Sequence, residues 1–194
     1  MMEELSLNIL DIVQNSIGAN ASLIEITIEE DDAANLLTIE VKDNGKGMSD
    51  DFLRQVINPF VTTRTTRKVG LGISFIKEAA EITGGSFSIS SKLNTGTKLT
   101  AVFVKDHIDR QPIGDIAGTT VALVTLNPEI DFSLTYKVNE EQFDFSSREV
   151  KEELGDDVSI SSPAVGSFLS EYISQHIENL YTSHNEKITK ERSK

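Results

Sequence analysis

The chain has 194 residues, of which 38% are apolar and 25% charged, and it contains no cysteine. This length suffices for one domain with an appendage, and the lack of cysteine excludes disulfides, thiolate metal sites and cysteine nucleophiles. The formal net charge of −13 argues against nonspecific binding to nucleic acid or to an anionic membrane, because both require concentrated Lys and Arg.

No segment predicts export or a membrane anchor. The chain lacks a run of about 18 apolar residues, and its start, Met1 to Glu4, lacks the basic and apolar regions of a signal peptide. We therefore expect a cytoplasmic protein that binds neither membranes nor nucleic acid. Positive charge is concentrated in one place, Arg64-Thr-Thr-Arg67-Lys68, where a polyphosphate could be held.

The first predicted element is a helix over residues 3–17. Its apolar side consists of residues at helical spacing, namely Leu5, Ile9, Ile12 and Val13. Asn8, Asp11 and Asn15 recur at steps of three and four, so they share another face of the same helix. That face could simply be solvated. Alternatively, its carboxylate and amide oxygens could point into a polar cavity and hold a hydrated magnesium ion.

Two strands are predicted next. Residues 23–29 alternate between apolar and polar side chains, residues 31–35 form a turn, and residues 36–41 are again strand-like. Because the alternation leaves one side of each strand apolar, we expect a hairpin with one buried face.

The second strand leads directly into the segment Asp43 to Gly47, which reads Asp-Asn-Gly-Lys-Gly. A carboxylate is thereby placed at a strand end, and two glycines allow the backbone to turn tightly beside it. Taken alone, these residue types are typical of an ordinary turn. A calcium loop is excluded, because the twelfth position holds Arg54 where a glutamate ligand would be needed.

A short helix and a long loop follow. Ser49 is predicted to cap a helix that runs through Val56. Residues 58–69 are basic and rich in hydroxyl groups, and Pro59 prevents a helix from continuing through them. Loops of this length are often functional lids.

The loop ends in Gly70-Leu71-Gly72, after which the spacing predicts a helix to Ile82. The glycines could serve only the packing of the helix start. They could also expose backbone N–H groups which, together with the helix dipole, form an anion-binding site.

Two further strands, over residues 87–91 and 98–104, are predicted to be joined by a turn at residues 94–96. The order of elements up to this point indicates an α/β (α+β) two-layer sandwich, in which a mainly antiparallel sheet carries helices on one face. Residues 1–106 would form this domain.

A small C-terminal α+β extension is predicted over residues 107–180. It contains a short helix or strand at 114–126, a hairpin at 132–145, an acidic helix after Ser147, and a final helix whose apolar stripe must be covered by the hairpin or by another chain. Residues 181–194 are polar and predicted to be disordered.

Four segments resemble, in order, the sequence boxes of the GHKL ATP-binding superfamily, which includes gyrase, a heat-shock chaperone, histidine kinases and the mismatch-repair ATPases. Asp11 to Asn15 with Ala19 resembles the N box, and Asp43 to Gly47 resembles the first glycine box. The F box is similar to Asn58-Pro59-Phe60, and the second glycine box to Gly70-Leu71-Gly72. The resemblance covers residues 5 to about 104 and implies a histidine-kinase-like ATPase domain.

The resemblance implies ATP and Mg²⁺ as ligands. Asp43 would accept from the exocyclic amine of adenine, Thr97 would assist through a water, Asn15 would bind the magnesium ion, and the lid would cover the phosphates. The implied nucleotide-binding residues are Asn15, Asp43, Gly45, Gly47, Phe60, Arg64, Arg67, Lys68, Gly70, Leu71, Gly72 and Thr97.

The chain departs from the family pattern at two positions. Hydrolases and serine-directed kinases of the family usually carry Glu where this chain has Asp11, and many histidine kinases carry Asn there. The Asp11 carboxylate is the catalytic candidate, since it could polarise a water or a serine hydroxyl, but it is one methylene shorter and could serve only the metal. Gly18 replaces an aspartate that is usual in the family.

The resemblance leaves three functional hypotheses. The first is a signalling kinase that transfers the γ-phosphate of ATP to a partner protein in trans, because no phosphoacceptor His precedes the N box and His107, His176 and His184 are predicted surface residues. The second is a nucleotide-gated ATPase or switch that controls a partner without phosphorylating it. The third is a degenerate domain kept for its partner surface. We expect a small free-standing bacterial protein that could form a homodimer through its C-terminal helix.

Overall fold

The computed structural model describes residues 4–57 and 72–192. The elements, in chain order, are α1 (Leu5–Gly18), β1 (Leu23–Asp31), β2 (Leu36–Asp43), α2 (Asp50–Ile57), α3 (Gly72–Ile82), β3 (Ser86–Lys92), β4 (Gly96–Val104), α4 (Ile116–Leu126), β5 (Asp131–Val138), β6 (Glu141–Ser146), α5 (Ser147–Leu154) and α6 (Pro163–Arg192). The predicted helices and strands are therefore present, whereas the predicted lid, residues 58–69, lies outside the described residues. Residues 114–126, for which the sequence allows a short helix or a strand, contain the helix α4.

The strands form one six-stranded sheet in the order β3-β4-β2-β1-β5-β6. Neighbouring strands run antiparallel, except that β5 lies parallel to β1. The mainly antiparallel sheet predicted from the sequence is confirmed.

Each of the three hairpins turns at an asparagine with positive φ. Asn35 between β1 and β2, Asn94 between β3 and β4, and Asn139 between β5 and β6 have φ values of 56°, 59° and 55°. Asparagine tolerates this left-handed conformation better than most residues with a side chain. Each hairpin therefore has an asparagine where its backbone turns.

One face of the sheet is buried and the other is half-exposed. The buried side chains occupy every second position of β1, β2, β4 and β5, and the register brings them together, as in the row formed by Ala101, Ile39, Ile28 and Tyr136. Helices α1, α3, α4 and α6 contribute most of the other buried apolar residues and contact the strands. The structure thus confirms the two-layer sandwich with helices on one face.

The C-terminal extension continues the sheet of the first domain. Residues Leu23–Glu30 of β1 pair along their length with Asp131–Val138 of β5, and β6 then pairs with β5. The buried part of the apolar stripe of α6 packs within this chain against α4, β5 and β6, whereas Phe168 and Tyr172 of the same helix stay exposed. The boundary between residues 106 and 107 stays a prediction.

The prediction of disorder from residue 181 is wrong for the described part of the tail, because α6 runs from Pro163 to Arg192. The Tyr181 hydroxyl lies 2.7 Å from the Tyr136 hydroxyl, and His184 Nε2 lies 2.8 Å from Asp32 Oδ2. These polar residues are ordered by partners on β5 and at the end of β1, which a local reading of composition does not reveal.

Two of the three histidines that were predicted at the surface make side-chain contacts there. His184 is half-buried and contacts Asp32 and Asn139. His176 is half-buried as well, and its ring stacks on Phe143 with centroids 4.8 Å apart.

A buried polar network joins this helix to the sheet. Glu30 is 4% exposed, Lys105 Nζ lies 2.7 Å from Glu30 Oε2, and the hydroxyls of Tyr136 and Tyr181 both reach Glu30 Oε1. Burial raises the pKa of both tyrosines, and the neighbouring carboxylate raises it further. Burial alone would lower the pKa of Lys105, but its hydrogen bonds to Asp32 and Glu30 outweigh this and raise it.

Candidate functional site

A cavity of about 560 Å³ lies where the ends of β2, β3 and β4 meet α1, α2 and the start of α3. This volume falls within the range of about 300–1,000 Å³ that is typical of small-molecule sites. Its walls include Ile12, Asn15, Ser16, Gly18, Val41, Asp43, Gly47, Met48, Phe52, Val56, Ile73, Ile89, Thr97 and Leu99. The cavity is therefore mostly apolar, with a few polar groups at defined positions.

Asp43 is the buried carboxylate of this cavity, with 8% of its surface exposed. Its Oδ2 accepts a hydrogen bond of 2.8 Å from Ser16 Oγ, and its Oδ1 accepts one of 2.8 Å from the backbone N–H of Gly45. Each carboxylate oxygen can accept more than one hydrogen bond. Two donors therefore hold the carboxylate in place, and it retains the capacity to accept from a ligand.

Ser16 is a residue of the site that sequence reasoning missed. It is buried near the C-terminal end of α1 and follows Asn15 directly. Its position continues the apolar stripe of Ile9, Ile12 and Val13 by one further helical step. A hydroxyl in an otherwise apolar stripe must find a partner inside the protein, and that was the available signal.

The loop after β2 requires glycine at a defined position. Gly47 has φ of +61°, and a Cβ atom there would lie 2.0 Å from the carbonyl oxygen of Lys92. The backbone of the same loop is bonded on both sides, since Lys46 N–H donates to Ala19 O at 2.9 Å and Asn94 N–H donates to Lys46 O at 2.7 Å. Gly47 lines the cavity, whereas Gly45 acts through its N–H on Asp43.

Thr97 stands directly opposite Asp43 in the pairing of β2 with β4. Ser91 Oγ accepts from the backbone N–H of Met48 at 2.9 Å and donates to Gly96 O at 2.9 Å. Because Ser91 uses its single proton on Gly96, the Thr97 hydroxyl, 2.9 Å away, donates to Ser91. The Thr97 oxygen consequently keeps its lone pairs for a group in the cavity, and Ser91 is a second residue that sequence reasoning missed.

Asn15 places its side-chain amide in the wall of the cavity. Its Nδ2 atom is buried and has no hydrogen-bond partner among the described residues. Buried amides are nearly always hydrogen-bonded, and the amide oxygen and nitrogen exchange places by a half-turn of the side chain. The polar end of Asn15 is thus suited to bind a ligand or a cation in the cavity.

The donor set fits magnesium held partly by a ligand. No group of three or more His, Cys, Asp or Glu side chains within residues 4–57 and 72–192 could hold a metal by itself. Magnesium takes oxygen ligands and is usually bound through one or two carboxylates together with phosphate oxygens and waters. Asn15 would contribute an amide oxygen in place of a carboxylate, and the other ligands would come from phosphates and waters.

Asp11 lies one turn before Asn15 on α1 and packs against the start of α3. A Cβ atom on Gly72 would lie 2.6 Å from the Asp11 Cβ atom, so the glycine allows the two helices to approach closely here. Asp11 is half-buried and is not among the described residues that line the cavity. Its carboxylate lies at the positive end of the α3 dipole, where negative charge is favoured.

Six predicted site residues lie outside the described part of the chain, namely Phe60, Arg64, Arg67, Lys68, Gly70 and Leu71. The other predicted residues are brought to one end of the sheet. Asn15, Asp43, Gly47 and Thr97 line the cavity directly, and Gly45, Asp11 and Gly72 stand behind its walls. At Gly18, where the family usually has aspartate, a Cβ atom would meet nothing within 4 Å.

Residues 1–107 match the family model described as "Histidine kinase-, DNA gyrase B-, and HSP90-like ATPase". The match spans more than half of the chain, and the chain therefore belongs to this family of ATPases, the GHKL superfamily. The resemblance predicted from the four sequence boxes is confirmed.

Relatives with this domain have different activities. The chain is 29% identical over 99 residues to the sensor histidine kinase YvrG of Bacillus subtilis, a match that covers 49% of this chain and 17% of that protein. It is 28% identical over 125 residues to the DNA mismatch repair protein MutL of Halobacterium salinarum, covering 60% of this chain and 18% of that protein. The matched region thus spans less than a fifth of each relative.

A solved structure shows the same fold. The N-terminal domain of a DNA repair protein superposes with a TM-score of 0.53 at 18% identity, and the superposition covers 74% of this chain and 52% of that one. In the described ranges 4–57 and 72–192, none of the helices has the length and apolar character needed to cross a bilayer.

Proposed function

We propose that this chain binds ATP in the cavity and acts as a regulatory kinase, which transfers the γ-phosphate of ATP to a partner protein in trans. The observation that carries this proposal is the placement of the Asp43 carboxylate and the Asn15 amide in one cavity of suitable volume. Membership of an ATPase family shared by sensor kinases and a mismatch repair protein supports it.

The base of the nucleotide would lie at the Asp43 end. An exocyclic amine of adenine is a donor, and it would be recognised by the carboxylate that Ser16 and Gly45 hold in place. The apolar side chains of Val41 and Leu99 would cover the ring. A buried acceptor of this kind discriminates strongly against a base that lacks the matching donor, because the carboxylate would then remain unpaired.

The phosphates would extend along α1 towards α3. Ser16, Asn15 and Asp11 succeed one another towards the N-terminus of α1, a span of about 7.5 Å at the helical rise. Asp11 adjoins Gly72, where α3 begins, and helix N-termini favour negatively charged groups. Asn15 would hold a magnesium ion, which would supply positive charge beside the phosphates.

The transfer step assigns a role to Asp11. A hydroxyl of the partner would attack the γ-phosphorus, the bond from that phosphorus to the bridging oxygen would break, and ADP would leave. The Asp11 carboxylate would accept the proton of the hydroxyl as the new bond forms. If the acceptor were a histidine, the ring nitrogen would attack with its own lone pair, and Asp11 would not be needed as a base.

The alternative is an ATP-dependent switch or ATPase that controls a partner without phosphorylating it. The position of Asp11 favours this alternative, because its carboxylate packs against Gly72 and is not among the described residues that line the cavity. In this case nucleotide binding would change the conformation of a surface to which the partner binds.

Radiolabelled ATP distinguishes these functions. The full chain is incubated with γ-labelled ATP and with proteins that it captures, and the label is then followed. Label on a captured protein, lost in an Asp11→Asn variant that still binds ATP, supports transfer to a hydroxyl. Label on a captured protein that survives Asp11→Asn supports transfer to histidine. Label released only as phosphate, or nucleotide-dependent capture without label transfer, supports the alternative, and failure to bind an ATP analogue overturns both.

A further inference from the structure

A second cavity lies at the opposite edge of the sheet from the nucleotide cavity. Its volume is about 510 Å³, and it is formed by β6, α5 and the first half of α6. Its apolar lining includes Phe145, Val150, Leu154, Val165 and Leu169, which we call the groove floor. Strand β6 is three strand spacings, or about 14 Å, from β2, which carries Asp43, and the two cavities share no described lining residue.

Two exposed aromatic side chains of α6 border the groove floor. Phe168 is 64% exposed and Tyr172 is 38% exposed, although both are large apolar groups. Their rings stack with centroids 6.0 Å apart, and Tyr172 also contacts Phe143 edge-on at 5.9 Å. These contacts restrict the rotamers of the aromatic side chains before any partner arrives. Ordered, exposed aromatic residues of this type are frequent binding hot spots.

The same groove has an acidic rim, which consists of Asp144, Glu149 and Glu153. Within the part of the chain that the structure describes, none of these carboxylates forms an ion pair. The hydrogen bonds to Asp144 come from neutral donors, Thr135 Oγ1 at 2.8 Å and Gln142 Nε2 at 2.6 Å. The negative charge of the rim is therefore not neutralised by these neighbours.

The two cations of α5 form ion pairs outside the groove. Arg148 Nη2 lies 2.7 Å from Asp131 Oδ2, and Lys151 Nζ lies 2.9 Å from Asp131 Oδ1. Neither cation lines the groove. Helix α5 thus presents two of its three carboxylates, Glu149 and Glu153, to the groove, whereas its cations bind the start of β5.

From this geometry we infer that the groove docks a segment of a partner protein that carries apolar side chains flanked by Lys or Arg. The apolar side chains would fill the groove floor, the cations would meet the acidic rim, and an arginine could also stack on the exposed ring of Phe168. This inference goes beyond the proposed function and does not depend on ATP binding.

A second copy of this chain fits the groove less well. A symmetric dimer uses the same patch on both subunits, so the acidic rims of both would approach each other. Like charges brought together in this way oppose association, and the chain already carries a net charge of −13. A basic partner has the complementary charge.

The test measures binding of a fluorescent amphipathic peptide of Leu and Lys to the full chain, by anisotropy and without nucleotide. A peptide of Leu and Glu with the same pattern controls for apolar binding alone. We expect about tenfold weaker binding of the Leu–Lys peptide to Phe168→Ala and to the double variant Glu149→Gln with Glu153→Gln. The Leu–Glu peptide should not bind measurably.

Matched controls are placed away from both cavities. Glu129→Gln with Glu140→Gln changes the net charge equally at exposed positions, and Leu126→Ala removes an apolar side chain that is 78% exposed. These controls should change the affinity less than twofold. All substituted side chains are exposed, so thermal unfolding of every variant should match that of the parent chain.

Three results would overturn the inference. The first is an equal loss of affinity in the groove and control charge variants, which would indicate attraction to net charge alone. The second is binding of the Leu–Glu peptide, or retention of Leu–Lys binding in Phe168→Ala and in the double glutamate variant. The third is concentration-dependent dimerisation in sedimentation that Phe168→Ala abolishes, which would make a second copy the occupant. None of these results bears on whether ATP binds.

Discussion

The hairpin of β1 and β2 carries a buried carboxylate at each end, and the two carboxylates have different partners. Glu30 lies near the end of β1 and Asp43 at the end of β2, both on the face of the sheet that packs against the helices. Glu30 is paired with Lys105 and reached by two tyrosine hydroxyls. Asp43 has only neutral donors, Ser16 and Gly45, and it borders a cavity.

The difference separates a structural carboxylate from one that is available to a ligand. At Glu30 the charge is compensated inside the protein, and no cavity opens beside it among the described pockets. At Asp43 two hydrogen bonds orient the carboxylate, and no described cation pairs with it. Burial of a charge without a counter-ion costs free energy, and such sites are where function is expected.

The largest effect is expected from removing the structural carboxylate. Glu30→Ala removes one of the two carboxylates that bind the Lys105 ammonium and leaves two buried tyrosine hydroxyls without their shared acceptor, so the free energy of unfolding should fall by about 3 kcal/mol in urea titrations. The affinity for an ATP analogue, measured in conditions where the variant is folded, should remain that of the parent chain.

Glu25→Ala is the matched control. Glu25 lies on the same strand and also pairs with a lysine, since its Oε2 lies 2.6 Å from Lys42 Nζ, but the two side chains are 40% and 53% exposed. Exposed pairs contribute about 0–1 kcal/mol. If Glu25→Ala destabilised the chain as much as Glu30→Ala, the special role of the buried network would be refuted.

The second prediction concerns Asp43, the carboxylate for which we propose a role in nucleotide binding. Asp43→Ala removes a fixed, charged acceptor from the cavity, and hydrogen bonds to charged groups contribute about 1.5–3 kcal/mol, so the affinity for an ATP analogue should fall about a hundredfold. Isothermal titration calorimetry measures this change. Ser16→Ala should reduce the affinity less, because Gly45 N–H still orients the carboxylate. Unchanged binding in Asp43→Ala would mean that the nucleotide base does not contact this residue.

The third prediction uses two glycines with the same φ. Gly47 and Gly155 both have φ of +61°, but a Cβ atom at Gly47 would lie 2.0 Å from Lys92 O, whereas one at Gly155 would meet nothing within 4 Å. In both variants the alanine must adopt a left-handed backbone conformation, which costs free energy. Only Gly47→Ala also places a Cβ atom against a backbone atom. We expect it to lower the free energy of unfolding by about 1–3 kcal/mol more than Gly155→Ala does, and to weaken nucleotide binding. Equal destabilisation would show that the loop accommodates the methyl group.

The features of the fold and of the site that the sequence predicts are those that depend on residues close together in the chain. The strand end, carboxylate and two glycines around Asp43 predict either an ordinary turn or a pocket wall, and helical spacing places Asn15 on one face with Asp11. The resemblance to the GHKL sequence boxes is what assigns both residues to a nucleotide site. The hairpins followed from alternation on both sides of a turn. The sequence does not predict the roles of Ser16 and Ser91, because a single serine forms no recognisable pattern. Only the hydrogen-bond partners in the folded chain reveal these roles.

The rest depends on contacts between distant parts of the chain. No local pattern specifies that β5 pairs in parallel with β1, since more than 100 residues separate the paired positions Leu23 and Asp131. The order of the tail depends on Glu30 and Asp32 in the same way. Polar residues that would be disordered by themselves are ordered by partners that the sequence does not place beside them.

The smallest effect is expected from pH at the structural end of the hairpin. Hydrogen bonds from Lys105 and Asn139 lower the pKa of Asp32 from 3.8 to about 2. A lowered pKa means that the unfolded chain binds the proton more tightly than the native state does. The stability contributed by Asp32 is therefore complete above pH 3.8 and is lost as the pH falls towards about 2.

Because the Asp32 side chain is 44% exposed, solvent screening limits this contribution to less than about 1 kcal/mol. Asp32→Asn should lower the free energy of unfolding by that amount at pH 7, and the difference from the parent chain should shrink as the pH falls and vanish below about pH 2. Urea titrations at several pH values measure it, with the exposed residue Asp157 changed to Asn as the control. A difference that persisted unchanged at pH 2 would assign the effect of Asp32 to lost packing and not to its charge.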